Sequence, residues 1–177
     1  MREIEIKARV RDIEALHAKL HAMNVSLSQP LKQRDSVYSQ STTPDGRTAY
    51  VRLRIENDTT ATFNMKKSVD NQLDSIEHES VVEAPAEIRH IINHLGLTPF
   101  ADVTKVRRKG KIDDIELCLD EVEGLGIFIE AEKLCRDDVN GDTVREELWR
   151  IFSSLGISRD DEVTKGYDVL IREKLAA

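Results

Sequence analysis

A chain of 177 residues suits one domain around one core, and 40% hydrophobic with 33% charged residues is the composition of a soluble globular protein. No apolar run approaches the roughly 20 residues of a membrane span. The charged residues beginning at Arg2 speak against a signal peptide, so a cytoplasmic protein without a membrane partner is expected. A formal net charge of −7 argues against a nucleic-acid polymer as partner, yet leaves room for a small anion in a local basic pocket. Cys118 and Cys135 lie far apart and form no CxxC, so reduced thiols are expected rather than a disulfide framework or a zinc site.

In chain order, Ile4, Ile6, Ala8 and Val10 alternate with Glu3, Glu5, Lys7 and Arg9, the period of a strand with one apolar and one charged face. Asp12 is placed to cap a helix striped by Ile13, Leu16, Leu20 and Met23. A polar segment with Pro30 leads to a short strand around Ser36 to Ser39, and Thr42-Thr43-Pro44-Asp45-Gly46 is turn chemistry. In 49–56, Tyr50, Arg52, Arg54 and Glu56 oppose Val51, Leu53 and Ile55, and Asn57-Asp58 predicts a hairpin turn. Residues 61–67 and 75–83 alternate again, with Lys66 on one face of the first and Glu77, Glu79 and Glu83 on one side of the second.

Pro85 opens and Gly96 closes a helix with Ile88, Ile91, Ile92 and Leu95. Strands follow over 101–109 with Lys105 and Arg107, over 112–120 with Glu116, Cys118 and Asp120 on one face, and over 127–133 with Glu130 and Glu132. Asp142 is the expected cap of a third helix carrying Val144, Leu148, Ile151, Phe152 and Leu155, and a last helix is expected from about Val163 to Leu175. With no repeat and no linker, the pattern predicts a single α+β domain over 1–177, antiparallel strands with helices packed outside.

The alternating faces collect seven bases (Lys7, Arg9, Arg52, Arg54, Lys66, Lys105, Arg107) and seven acids (Glu3, Glu5, Glu77, Glu79, Asp120, Glu130, Glu132). One reading is the solvated side of an ordinary half-buried sheet. The other follows from like charges paired at i, i+2, about 7 Å apart, as in Arg52 with Arg54 and Glu130 with Glu132. A surface usually mixes its signs, whereas segregated pairs clamp ligands of opposite charge. Paired guanidinium groups bind phosphate oxygens bidentately, and clustered carboxylates bind hard cations such as Mg²⁺ or Mn²⁺.

Glu3-Ile4-Glu5-Ile6-Lys7, Arg52-Leu53-Arg54, Lys66, Glu77-His78-Glu79, Lys105-Val106-Arg107, Asp120 and Glu130-Ala131-Glu132 occur in an order that resembles the CYTH superfamily of triphosphate tunnel metalloenzymes, across essentially the whole chain. The resemblance implies an eight-stranded antiparallel β-barrel or tunnel with helices outside. It implies Glu3, Glu5, Asp120, Glu130 and Glu132 as ligands of Mg²⁺ or Mn²⁺. Lys7, Arg52, Arg54, Lys66, Lys105, Arg107 and Lys165 are implied as the grip on the substrate triphosphate, Lys7, Arg52 and Arg54 being its catalytic members. Glu77 and Glu79 have a supporting role. Lys165-Gly166-Tyr167 is similar to a Lys-Ser-Tyr element that covers the tunnel, with Gly166 in place of Ser. Asp120-Glu121-Val122-Glu123-Gly124-Leu125-Gly126 and Gln33-Arg34-Asp35-Ser36-Val37-Tyr38 resemble the class IV adenylyl cyclase branch. That branch implies conversion of ATP to cyclic AMP and pyrophosphate. A metal-dependent triphosphatase acting on inorganic triphosphate, thiamine triphosphate or a nucleotide is the alternative, and a non-catalytic polyphosphate binder the third. The family implies a homodimer.

The remaining candidates read as structural. His17 with His21 and His90 with His94 are i, i+4 pairs off the apolar stripes, expected on solvated helix surface, and His78 should point away from the tunnel. Cys118 shares the parity of Asp120 but has no paired base, and Trp149 and Phe152 are expected in a core or interface.

Overall fold

The computed structural model describes residues 2–40, 49–69 and 73–176; the turn expected at 42–46 lies outside them. Strands β1 (Arg2–Arg9), β2 (Leu31–Ser39), β3 (Ala49–Glu56), β4 (Thr60–Ser68), β5 (Asp74–Val82), β6 (Thr98–Ile112), β7 (Ile115–Val122) and β8 (Gly126–Cys135) are joined with helices α1 (Ile13–Ala22), α2 (Pro85–His94), α3 (Gly141–Ser154) and α4 (Tyr167–Ala176). The strands close into one antiparallel barrel in the order β1-β5-β4-β3-β2-β6-β7-β8, the eight-stranded tunnel the sequence implied. Asn57 and Asp58 turn β3 into β4 with φ of 47° and 60°, a region these side chains tolerate.

The period-two pattern sends one parity of side chains outward. Ile4, Ile6 and Ala8 of β1, Ile115, Leu117 and Leu119 of β7, and Ile129 and Ala131 of β8 pack against Leu16 and Leu20 of α1 and Val144, Leu148, Trp149 and Phe152 of α3. Trp149 and Phe152 meet edge to face at 5.4 Å, as core residues. The opposite parity points into the barrel. Its lumen is shut at one end by α4, which sets Tyr167 against Val103, Val122 and Phe128 and Val169 against Val37 and Phe100. Among the described residues no helix is long and apolar enough to cross a membrane.

Several expected boundaries move, each for a local reason. Asn140, not Asp142, caps α3, its side chain accepting from Asp142 N at 2.9 Å and Thr143 N at 3.2 Å. The last helix starts at Tyr167 rather than Val163 because residues 162–163 are extended along β1: Ala8 bridges Glu162 and Val163 N donates to Lys7 O at 2.8 Å. Strand β2 begins at Leu31, five residues earlier than expected. Glu83 follows β5 rather than belonging to it, and Met23 caps α1 half in solvent. On α2 only Ile92 is buried, while Ile91 and Leu95 are 52% and 65% exposed.

The seam between β1 and β5 is short, with the register pairs Arg2↔Ile76, Glu3↔Ser75 and Ile4↔Asp74. A buried ion cluster reinforces it. Arg2 Nε donates to Asp74 Oδ1 at 2.5 Å, Arg145 of α3 donates to Asp74 Oδ2 at 3.2 Å, and Asp74 is fully buried. A β-carbon at residue 141 would lie 3.0 Å from Arg2 and 3.1 Å from Arg145, so glycine there lets both arginines approach. Removing one member of a buried ion pair leaves the other charge unsolvated, at about 3–5 kcal/mol. Asp74→Ala is therefore expected to lower unfolding stability by about that amount in urea titrations. A loss below about 1 kcal/mol would show that the seam does not depend on the cluster.

Candidate active site

The lumen holds a cavity of about 400 Å³ whose walls are mostly charged. On one side the register places Glu5 beside Glu132 and Lys7 beside Glu130. Carboxylate oxygens of Glu5, Glu130 and Glu132 lie within 4.8 Å of one another. Burial, then Glu130, pushes the Glu5 carboxyl up to about 8. Burial, then Glu3, pushes Glu132 up to about 7. Burial works the same way on Glu130, but Arg107 and then Lys7 outweigh it and hold this carboxyl well below the usual range. Among the described residues no donor forms a hydrogen bond to the buried Glu5 Oε1, and Lys7 Nζ lies 3.2 Å from it as an ion-pair partner. Three converging carboxylates, two of them resisting ionisation through burial and mutual repulsion, are a hard-oxygen donor set that fits a divalent cation such as Mg²⁺ or Mn²⁺.

This arrangement has a pH signature. The values of Glu5 and Glu132 lie above the ordinary 4.5, so without a bound cation the folded protein holds more protons than the unfolded chain between about pH 5 and 8. Their contribution to stability is complete below about pH 4.5 and is lost as pH rises through 7 and then 8. Thermal melts in a chelator are expected to fall between pH 5.5 and 8.5, and saturating Mn²⁺ to remove the fall while releasing protons. A chelator profile flat across that window would mean that these carboxylates are not compressed.

The cations form the other half. Arg54 is held by Asp35 through Nε to Oδ1 and Nη2 to Oδ2, both 2.7 Å, which leaves Nη1 for another partner. Arg52 reaches Glu77 at 3.3 Å and Asp35 at 3.8 Å. Lys66 lies 2.8 Å from Glu3 and 2.7 Å from Glu77. Arg107 grips Asp120 bidentately at 2.7 and 2.6 Å and also donates to Glu130, while Lys105 reaches Asp120 at 3.1 Å. The Tyr167 ring lies 4.2 Å from Lys7 Nζ and 5.0 Å from Lys105 Nζ.

Of the residues singled out from sequence, Glu3, Glu5, Lys7, Arg52, Arg54, Lys66, Glu77, Glu79, Lys105, Arg107, Glu130 and Glu132 line this one cavity. Three differ. Asp120 is fully buried behind the wall, outside the carboxylate triad, its oxygens taken by Arg107 and Lys105. The Lys165 ammonium turns out to Glu173 at 2.5 Å, and only its carbonyl faces inward, 3.4 Å from Lys7 Nζ. Arg9 lies at the barrel rim over Phe128. The cavity wall adds Asp35, Tyr50, Lys109, Lys111, Glu116 and Asp168. A strand begun at Leu31 would have carried Asp35 inward by parity. Extending the ladder of Lys105 and Arg107 by two and four residues would have reached Lys109 and Lys111. His17, His21, His78, His90 and His94 are exposed, and both cysteines are buried free thiols.

A closed antiparallel barrel whose lumen opposes carboxylates to arginines and lysines defines a triphosphate tunnel fold. The CYTH domain matches residues 1–167, and the chain belongs to that family. It is 31% identical, over 94% of its length and 97% of the relative's, to a Methanocaldococcus jannaschii protein named as a candidate adenylate cyclase. Protein PH1819 of Pyrococcus horikoshii superposes with a TM-score of 0.83 at 24% identity, covering 97% of this chain and 99% of that one. A candidate adenylyl cyclase from Hippeastrum, described as having a dominant triphosphatase activity, superposes at 0.60 with 18% identity, covering 93% and 91%.

Proposed function

We propose that this protein is a metal-dependent adenylyl cyclase that converts ATP to cyclic AMP and pyrophosphate inside the tunnel. The observation that carries the reading is the meeting of the Glu5, Glu130 and Glu132 carboxylates with six cationic side chains in one lumen. The name of the archaeal relative supports the choice of ATP. Lys7, Arg52, Arg54, Lys66, Lys105 and Arg107 hold the phosphate oxygens and take up the charge that develops on departing pyrophosphate. Asp35 and Asp120 fix Arg54 and Arg107 from behind, so that these forks need no reorganisation as charge builds up. Glu5, Glu130 and Glu132, with Glu3 nearby, would hold a divalent cation, which when bound would supply Lewis acidity toward an attacking hydroxyl. With α4 shutting one end, Tyr167, Val122 and Phe128 keep bulk water from competing with the ribose 3′-oxygen for the α-phosphorus.

Hydrolysis of a triphosphate by the same grip is the second reading, favoured by the activity described for the Hippeastrum protein. A non-catalytic binder is disfavoured by the intact carboxylate triad. Incubation of the purified protein with ATP and Mg²⁺ or Mn²⁺, with the products separated and identified, decides among them. Cyclic AMP with pyrophosphate is the expected result. ADP with phosphate, or unchanged ATP alongside cleaved inorganic triphosphate, would replace the cyclase by the hydrolase.

A further inference from the structure

The cavity wall is chemically polarised along the barrel. Of its apolar and aromatic members, Val37, Tyr50, Val103 and Tyr167 belong to the packing clusters beneath α4, while Leu73 and Leu134 stand apart from them. At the β6–β7 turn the wall is instead ionic and open to solvent, with Lys109, Lys111, Asp114 and Glu116, and a Lys109–Glu116 pair at 2.6 Å. Between the two lie the carboxylate triad and the arginines. Cations border the apolar end as well, Lys7 and Lys105 beside Tyr167, Lys66 opposite Tyr50 and Arg172 over Phe100, but Val37 and Val103 offer a polyphosphate no hydrogen bond. A nucleobase needs such an end, because its faces lose hydration cheaply only against apolar and aromatic groups.

A second observation falls at the same place. Asp168 is 6% exposed yet lines the cavity, seated between Tyr167, which packs on Val103, and Val169, which packs on Val37. Its carboxyl folds back over Gly166 so closely that a β-carbon at 166 would collide with Oδ1. The glycine that departs from the Lys-Ser-Tyr pattern is thus the residue that lets this carboxyl sit where it does. A carboxylate accepts hydrogen bonds and donates none, so it favours an amino group and disfavours a carbonyl.

We propose that the α4-covered end of the tunnel is the nucleoside subsite, with the base against Val37, Tyr50 and Val103 and the adenine amino group donating to Asp168. The inference rests on the reading of the substrate as a nucleoside triphosphate. It orients that substrate: base under α4, terminal phosphates toward the β6–β7 mouth. Asp168 then discriminates adenine from guanine, whose carbonyl would face the carboxylate.

The test is binding rather than turnover, so it stands apart from the product assay. Titration calorimetry with Mn²⁺ and, separately, ATP, GTP and inorganic triphosphate would be run on the wild type, Tyr50→Ala and Asp168→Asn. Wild type is expected to bind ATP about tenfold tighter than GTP, the size of one well-placed hydrogen bond. Asp168→Asn, whose amide can donate to a carbonyl, is expected to bring the two within about twofold. Tyr50→Ala is expected to weaken ATP about tenfold. Inorganic triphosphate should be unaffected in both, which also reports that the variants are folded. Parallel losses for ATP and inorganic triphosphate, or an ATP preference untouched in Asp168→Asn, overturn the subsite. If Tyr50→Ala does not fold, the near-isosteric Asp168→Asn decides alone. A hydrolase of nucleotides would retain the binding contrast while failing to make cyclic AMP.

Discussion

Arg54→Ala is expected to lower turnover by about 10²–10³-fold, the loss found when one preorganised donor to a developing anion is removed. It is also expected to lower stability by about 3–5 kcal/mol, because Arg54 is the bidentate partner of Asp35, which is 6% exposed. The sequence by itself offers the clamp role with no consequence for folding; the ion pair supplies that consequence. Burial raises the Asp35 carboxyl, but Arg54 and then Arg52 outweigh it and hold it far below the ordinary value. Its contribution is therefore present above about pH 4 and lost on acidification. The double variant Arg54→Ala/Asp35→Ala separates the effects. Stability should return in large part, since no lone charge stays buried, while activity should not. Urea unfolding and steady-state kinetics on the three proteins make the comparison. Full activity in Arg54→Ala would remove this guanidinium from the phosphate grip.

Glu130→Gln is expected to raise the Mn²⁺ concentration for half-maximal activity by at least about tenfold, the range seen when even indirect support of a metal ligand is removed. Glu130 is 3% exposed and accepts from Arg107 while lying 3.1 Å from Lys7, so its neutralisation also frees two cations. Those cations retain Asp120 and Glu5, so the folded structure should survive. Metal titration of activity distinguishes two roles. A ligand raises the metal requirement while maximal rate is largely recovered at saturation; a residue that only positions Lys7 and Arg107 lowers the maximal rate at unchanged metal requirement. The latter outcome would take Glu130 out of the metal site.

The β1 and β8 faces were legible because their chemistry is local. Glu3, Glu5 and Lys7 alternate with Ile4 and Ile6, and Glu130 and Glu132 with Ile129 and Ala131; a strand has only two faces, so apolar burial on one fixes the other. The ends of elements were less legible, because they depend on partners distant in sequence. Nothing near Val163 reveals that Lys7 will accept from its amide, and nothing near Ser36 reveals that β2 extends back to pair Leu31 with Arg107. Asp35 went unassigned for that reason.

What the sequence determined by itself is the inventory: which strands exist, which side chains each sends inward, and that these carry segregated charge. Period-two alternation and like-charge spacing are properties of single strands and survive any arrangement of them. What only the tertiary structure decided is which charge meets which. Asp120 reads as an equal of Glu130, yet barrel closure sets it against Arg107 and Lys105 and leaves Glu5, Glu130 and Glu132 to converge. Lys165 reads as a phosphate ligand, yet the extended run at 162–163 turns its ammonium outward to Glu173. Coulomb energy falls with distance and grows with burial, and both are set only when β1 meets β5 and β8 and the barrel is shut.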